Sequence, residues 1–179
     1  KFRQSHLSQI IKARQDRSVN LGEHMRLQFE NELTLRYQIQ EMLRIERIFE
    51  APLIQAEIDT YAPLLPTGCD WSFTLFLQFP QPLHRREALA RLLGVERRVF
   101  VQIQGQARVY ACADEALAHV NDHSPKTSAV HFLRFAFTRE MVHAIKTSAQ
   151  VRLGCDHEHY SHTSDMSLAL LDALAHDFD

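Results

Sequence analysis

Glu46 is an acid where a packing helix should be apolar. On a wheel of residues 31–49 at about 100° per residue, Ile45, Phe49, Met42, Leu35, Ile39 and Leu43 form one continuous arc. Arg36, Gln40, Arg44 and Arg47 lie opposite. Glu46 falls between Leu35 and Ile39 near the middle of the apolar arc, Gln38 falls beside Phe49 and Ile45, and Glu41 sits at the margin. A carboxylate on a buried face must be paired, protonated or bound. Three expectations follow for Glu46: a structural ion pair with Arg134 or Arg26 from a neighbouring strand, a role as general base or metal ligand, or exposure if the helix is turned differently. Gln38 is expected to hydrogen-bond a nearby backbone. The candidate acid–base or metal-dependent site drawn from this region is Glu30, Asn31, Gln38, Glu41, Arg44 and Glu46, with Tyr160 as a hydrogen-bond donor.

The second chemical signal is Cys155 to His162, reading CDHEHYSH. If extended, Cys155, His157 and His159 share one side and His162 lies just beyond. Thiolate and imidazole together suit zinc or another transition metal, so a transition metal is the cofactor such a set would take. The competing reading is a polar turn, because no second ligand pair stands at standard spacing. His119 and His123, four apart, form a weaker pair at an expected helix end. Cys155 beside Asp156 and His157 could serve as a nucleophile only with partners from elsewhere in the chain.

The composition narrows the setting. The chain has 179 residues, 45% apolar and 23% charged, with a net charge of -2. That suits one domain over residues 1–179 and gives no broad electrostatic pull toward nucleic acid. The basic residues are dispersed and the aromatics follow core patterns, so no nucleic-acid partner is expected. Three scattered cysteines argue against a disulfide framework and for reduced thiols in a cytoplasm. No apolar run approaches the roughly 20 residues that span a bilayer, so no membrane partner is expected. Phosphate-cradling glycine motifs, Gly-x-Ser-x-Gly and His-Glu-x-x-His do not occur.

The elements that must position these residues can be read from periodicity. Residues 5–17 predict a helix with Leu7, Ile10 and Ile11 inward and Lys12, Arg14 and Arg17 on a solvated face. Residues 24–30 alternate as a half-buried strand. Asn31 is a good N-cap for the helix reaching Phe49, and Pro52 allows a second helix to about Ala62. Residues 71–79 form the strongest strand, with Trp71, Phe73, Leu75, Leu77 and Phe79 on one face. A helix at 84–93 and strands at 97–103 and 107–113 follow, hinged at Gln104-Gly105-Gln106. A helix at 114–122, a strand at 129–137, a helix at 139–147, a strand at 149–153 and a helix at 165–177 complete the chain. This interleaving predicts a single α+β domain: a mixed, mostly antiparallel sheet with helices packed mainly on one face.

Several of these residues carry a resemblance. Phe29-Glu30-Asn31, then Gln40-Glu41-Met42-Leu43-Arg44 and Glu46, resemble the pattern of a bacterial family known as domain of unknown function 3501. The likeness continues through Glu57-Ile58, Tyr61, Leu64-Leu65-Pro66, Leu153-Gly154, Asp156-His157 and Tyr160. The resemblance implies no activity and transfers no catalytic residue. It implies rubrerythrin-like neighbours, hence a cytoplasmic role near redox or peroxide handling and a redox-related protein partner. The favoured expectation is a non-enzymatic accessory or protein-binding module. The alternative is the small metal-dependent or acid–base enzyme described above.

Overall fold

The structure, a computed structural model, describes residues 2–113, 125–147 and 149–178. The helix expected at 114–122, with His119 and His123, lies outside the described residues. The rest is α+β, with six α-helices and two antiparallel sheets among the described residues.

The first sheet has the order β1 (Ser18–Leu21), β2 (Met25–Phe29), β3 (Asp70–Leu77), β7 (Val130–Ala136), β6 (Cys112–Ala113). The second has the order β5 (Arg108–Tyr110), β4 (Val99–Ile103), β8 (Val151–His157), β9 (Tyr160–Asp165). Period-two alternation decides which side chains turn inward. Trp71, Phe73, Leu75 and Leu77 from β3 join Leu27, Phe29, Leu133 and Phe135 in a core that also takes Val99, Val101, Val151 and Leu153 from the second sheet. Helices α4 (Pro82–Arg91), α5 (Arg139–Lys146) and α6 (Leu168–Ala175) close over this core through Leu89, Ile145, Leu170, Leu171 and Leu174. The Trp71 indole N–H donates to the carbonyl of Leu174 (3.2 Å), which satisfies the polar end of a fully buried ring.

The outer face of the first sheet is covered differently. Helix α1 (Phe2–Asp16) packs on α2 (Glu32–Glu46), and α2 packs on α3 (Ala51–Tyr61). The apolar contact of this layer with the sheet is a small cluster, Leu35 and Leu64 with Tyr61 and Phe132. Of the three apolar residues expected inward on α1, Ile10 is buried, whereas Leu7 and Ile11 are exposed.

Four differences from the expected elements have physical causes. The strand expected at 107–113 divides at Ala111: β5 stays in the second sheet and β6 crosses to pair with β7. Alternation is blind to such a change of sheet. The Cys155–His162 segment is the β8–β9 hairpin, not a loop. Five of the six residues of β9 are exposed polar side chains, so propensity hides an edge strand that pairing along β8 supports. Strand β1 pairs with β2 through a turn at Gly22 (φ 71°). Helix α2 stops at Glu46, where Arg47 takes a left-handed conformation (φ 55°) and caps it through Leu43.

Gly154 faces Phe100 across the β4–β8 register, and a Cβ there would lie 2.3 Å from the ring. Gly154→Val should therefore cost about 1–3 kcal/mol. Urea denaturation would show it, and a paired Phe100→Leu change should restore part of the loss.

Candidate functional site

The chemistry-bearing residues gather where the first sheet's outer face meets α2 and α3. Alternation that sends Phe29 and Phe73 into the core sends Gln28, Glu30, Asp70, Ser72 and Thr74 outward, yet all five are buried. Buried polar groups call for partners; among the described residues Gln28, Glu30, Asp70 and Thr74 have them, whereas the Ser72 hydroxyl has none. The Glu30 carboxylate accepts from the hydroxyls of Thr34 (2.5 Å) and Thr74 (2.7 Å). Thr34 is placed by the capping box at the start of α2: Asn31 Oδ1 accepts from its N–H (3.0 Å), and its Oγ1 accepts from the N–H of Asn31 (2.9 Å). Asn31 is thus the helix cap its position predicted. Asp70 accepts from Thr67 and pairs with Arg134 (2.9 Å), which also donates to the carbonyl of Pro63. Arg134 accordingly serves Asp70 and is no partner of Glu46.

Glu46 itself is exposed. The helix is turned so that only Thr34 and Leu35 are buried, and Ile45 and Phe49 project into solvent. The wheel found the apolar arc, but much of that arc meets no core. Gln38 is half-buried and stands close to the Tyr61 hydroxyl. Burial raises the Tyr61 pKa, the Gln38 hydrogen bond opposes this, and the carboxylates of Glu57, Glu46 and Glu30 raise it further. Glu30, Gln38 and Glu46 thus lie near enough to Tyr61 to act on its ionisation. Glu41 and Arg44 form an i,i+3 pair (3.0 Å).

Next to this layer is an open cleft of about 830 Å³, lined by α1, the start of α2, Leu65-Pro66 and the C-terminal turn. Its base is the ion pair of Arg17 with Asp177. The Arg17 guanidinium also donates to the carbonyls of Phe29 (3.3 Å), Glu30 (3.1 Å) and Ala173 (2.6 Å). Burial raises the Asp177 pKa, against the pull of Arg17. Arg17 was expected on a solvated face and is only 4% exposed. No local signal separates it from Lys12 and Arg14, since its partners lie far along the chain.

Tyr160, Cys155, His157 and His159 stand elsewhere. The Tyr160 hydroxyl donates to the carbonyl of Leu21 (2.6 Å) and accepts from the N–H of His24 (3.1 Å). These contacts are at the far end of β2 from Glu30, on the order of 15 Å along the strand. His157 is buried; its Nδ1 accepts from the N–H of His159 (3.2 Å) and its Nε2 lies 3.1 Å from the carbonyl of Leu93. Both ring nitrogens are engaged. Cys155 is fully buried, and burial pushes its thiol up to about 11. The hairpin turn carries His159 off the strand face, although its ring stays 5.8 Å from that of His157. Among the described residues no group of three or more His, Cys, Asp or Glu is arranged to hold a metal ion. Asp156, on the opposite face, binds Arg98 (2.9 Å), Arg108 (2.8 Å) and the Tyr110 hydroxyl (2.7 Å).

A two-sheet α+β protein with a polar layer under a helical cover is a describable class, and the comparisons give it a family. The chain belongs to the family described as protein of unknown function (DUF3501), whose model matches residues 1–178. It is similar to a crystal structure of a novel protein of unknown function from Burkholderia pseudomallei K96243, at 44% identity and a TM-score of 0.91. The match covers 99% of this chain and 91% of that one. No curated protein matches. Among the described residues no helix is long and apolar enough to cross a membrane.

Two outcomes check this assignment of roles. At pH 8 a thiol of pKa near 11 is about 0.1% ionised. Iodoacetamide should alkylate the exposed Cys69 and Cys112 and leave Cys155 unmodified, as read by peptide mass mapping. Arg17→Met should cost about 3–5 kcal/mol by stranding a buried carboxylate. Arg17→Met with Asp177→Leu should cost less than the single change in urea melts.

Proposed function

We propose that this chain is a non-enzymatic accessory module that works by binding protein, with the α2–α3 pair as its contact surface. One observation carries the reading. Helix α3 spans 11 residues, includes Leu53, Ile54 and Ile58, and has no buried residue. Ile54, Glu57 and Tyr61 are half-buried on the side that meets the chain, whereas Leu53 and Ile58 stay exposed. Phe49 and Ile45, at 79% and 62% exposure, extend the same uncovered apolar surface across the connection to α2. Large side chains left outside the core in a cluster mark an interaction site.

The polar layer beneath supports the same reading. Glu30, the buried acid of that layer, is engaged at both oxygens by threonine hydroxyls, which suits a structural role more than proton transfer. The family resemblance supplies the setting: its rubrerythrin-like neighbours make redox or peroxide handling the system in which the module serves.

Photo-crosslinking in cells tests the contact. A photoreactive residue at Phe49 should give a discrete protein adduct that disappears when Leu53 is changed to Glu. The same probe at Leu83 on α4, 82% exposed, is the control. Equal labelling at both positions, or none at Phe49, would end this reading.

A further inference from the structure

We infer that His24 and His84 form a two-imidazole site for a divalent transition metal, where the turn before β2, the end of β3 and the start of α4 meet. His24 precedes β2 at the end opposite Glu30, so the site is separate from the polar layer and from the α2–α3 surface. The two rings stand 6.2 Å apart between centres, at an interplanar angle of 86°. With a metal–nitrogen distance of about 2.0–2.1 Å, two imidazoles on one ion stand roughly 4.5–6.5 Å apart, depending on the angle at the metal. The observed spacing falls inside that range. Both rings rest on Phe79, at 4.4 Å for His24 and 5.6 Å for His84, and Phe79 is itself part of the core.

The bonding of His24 has the form that metal ligands take. The Gln78 N–H donates to the His24 carbonyl (2.8 Å), and the Gln78 carbonyl lies 3.1 Å from His24 Nδ1. A carbonyl only accepts, so Nδ1 carries the proton and the neutral ring keeps its lone pair at Nε2. Metal-binding histidines donate their other ring N–H to such a group, which fixes both ring and tautomer. Among the described contacts no hydrogen bond engages His24 Nε2 or either ring nitrogen of His84. His84 is exposed on the first turn of α4. The next residue ties that turn down, since Arg85 Nε donates to the Phe79 carbonyl (2.8 Å). Imidazole suits zinc, nickel and copper. Among the described residues no third His, Cys, Asp or Glu is arranged with the pair. Water therefore fills the remaining positions, which stay open to a further ligand.

Isothermal titration calorimetry of the untagged chain with Ni2+ tests this, in a buffer that does not bind metal. Ni2+ is the probe because it takes imidazole readily and competes less than zinc for the exposed thiols Cys69 and Cys112. The wild type should take up Ni2+ at a discrete site, and His84→Ala should lose it. His84 is exposed, so that variant should keep the wild-type circular dichroism spectrum. His24→Asn, which keeps a side-chain N–H for the Gln78 carbonyl, should lose it too. His159→Ala with His162→Ala should bind as the wild type does, although both of those imidazoles are exposed. Only neutral imidazole binds metal, so uptake should weaken as the pH falls through the range where imidazole takes up protons. No Ni2+ uptake by the wild type overturns the inference. So does uptake that survives His84→Ala, or uptake that falls as far in the His159 and His162 variant as in His84→Ala.

Discussion

One guanidinium holds the two ends of the described chain to its middle. Arg17 leaves α1 and donates to the ends of β2 and α6 and to the C-terminal turn through Phe29, Glu30, Ala173 and Asp177. Its own carbonyl accepts from the N–H of Phe29 (2.8 Å) and from the Gln28 amide (3.2 Å). A buried guanidinium has five N–H donors and no way to lose its charge. The fold must therefore present acceptors from all sides, and the places that do so are the end of the strand that precedes α2 and the last turn of the chain. The position of Glu30, and through it the start of α2, follows from that constraint.

The first sheet shows how a polar layer can be buried by directed pairing. Its inner face is apolar, aromatic and aliphatic together. Its outer face carries Glu30, Asp70 and Thr74, and each is matched by a hydroxyl, a backbone N–H or a guanidinium. Such groups are costly if left unpaired. Paired, they fix the direction of α2 and the turn after α3 more sharply than apolar contact alone would. The helical cover can then reach away from the core, because its base is held by directed bonds.

That reach is the functional consequence. Helices α4, α5 and α6 bury side chains in the main core, whereas α3 has no fully buried residue and meets the sheet layer through half-buried Tyr61. Leu53, Ile58, Ile45 and Phe49 remain exposed there, and a partner that covered them would bury apolar surface the chain itself leaves in water. The family to which the chain belongs has a solved relative of the same fold from Burkholderia pseudomallei, also of unknown function. The uncovered helix pair is where this structure directs the search.

The sequence by itself determined the elements whose signals are local. Alternation located β2 and β3 and their inner faces, Gln104-Gly105-Gln106 located the β4–β5 hairpin, and Asn31 located the start of α2. The α+β class and the family followed from the same stretches. The sequence also singled out the right helix, α2, because polar residues interrupt its apolar arc. Only the tertiary structure decided what that arc faces. Amphipathicity shows that a helix has two sides, not that the apolar side meets a core, and so of the three readings of Glu46 it is the exposed one that holds. Arg17, Asp177 and Tyr61 were invisible as a set, because their contacts join residues more than a hundred positions apart or sit across a helix pair. The Cys155–His162 segment shows the same limit. Its residue types suit a metal, but strand pairing turns Cys155 into the core and engages both nitrogens of His157. Which face a side chain occupies is set by what packs against it, and that partner is rarely a neighbour in sequence.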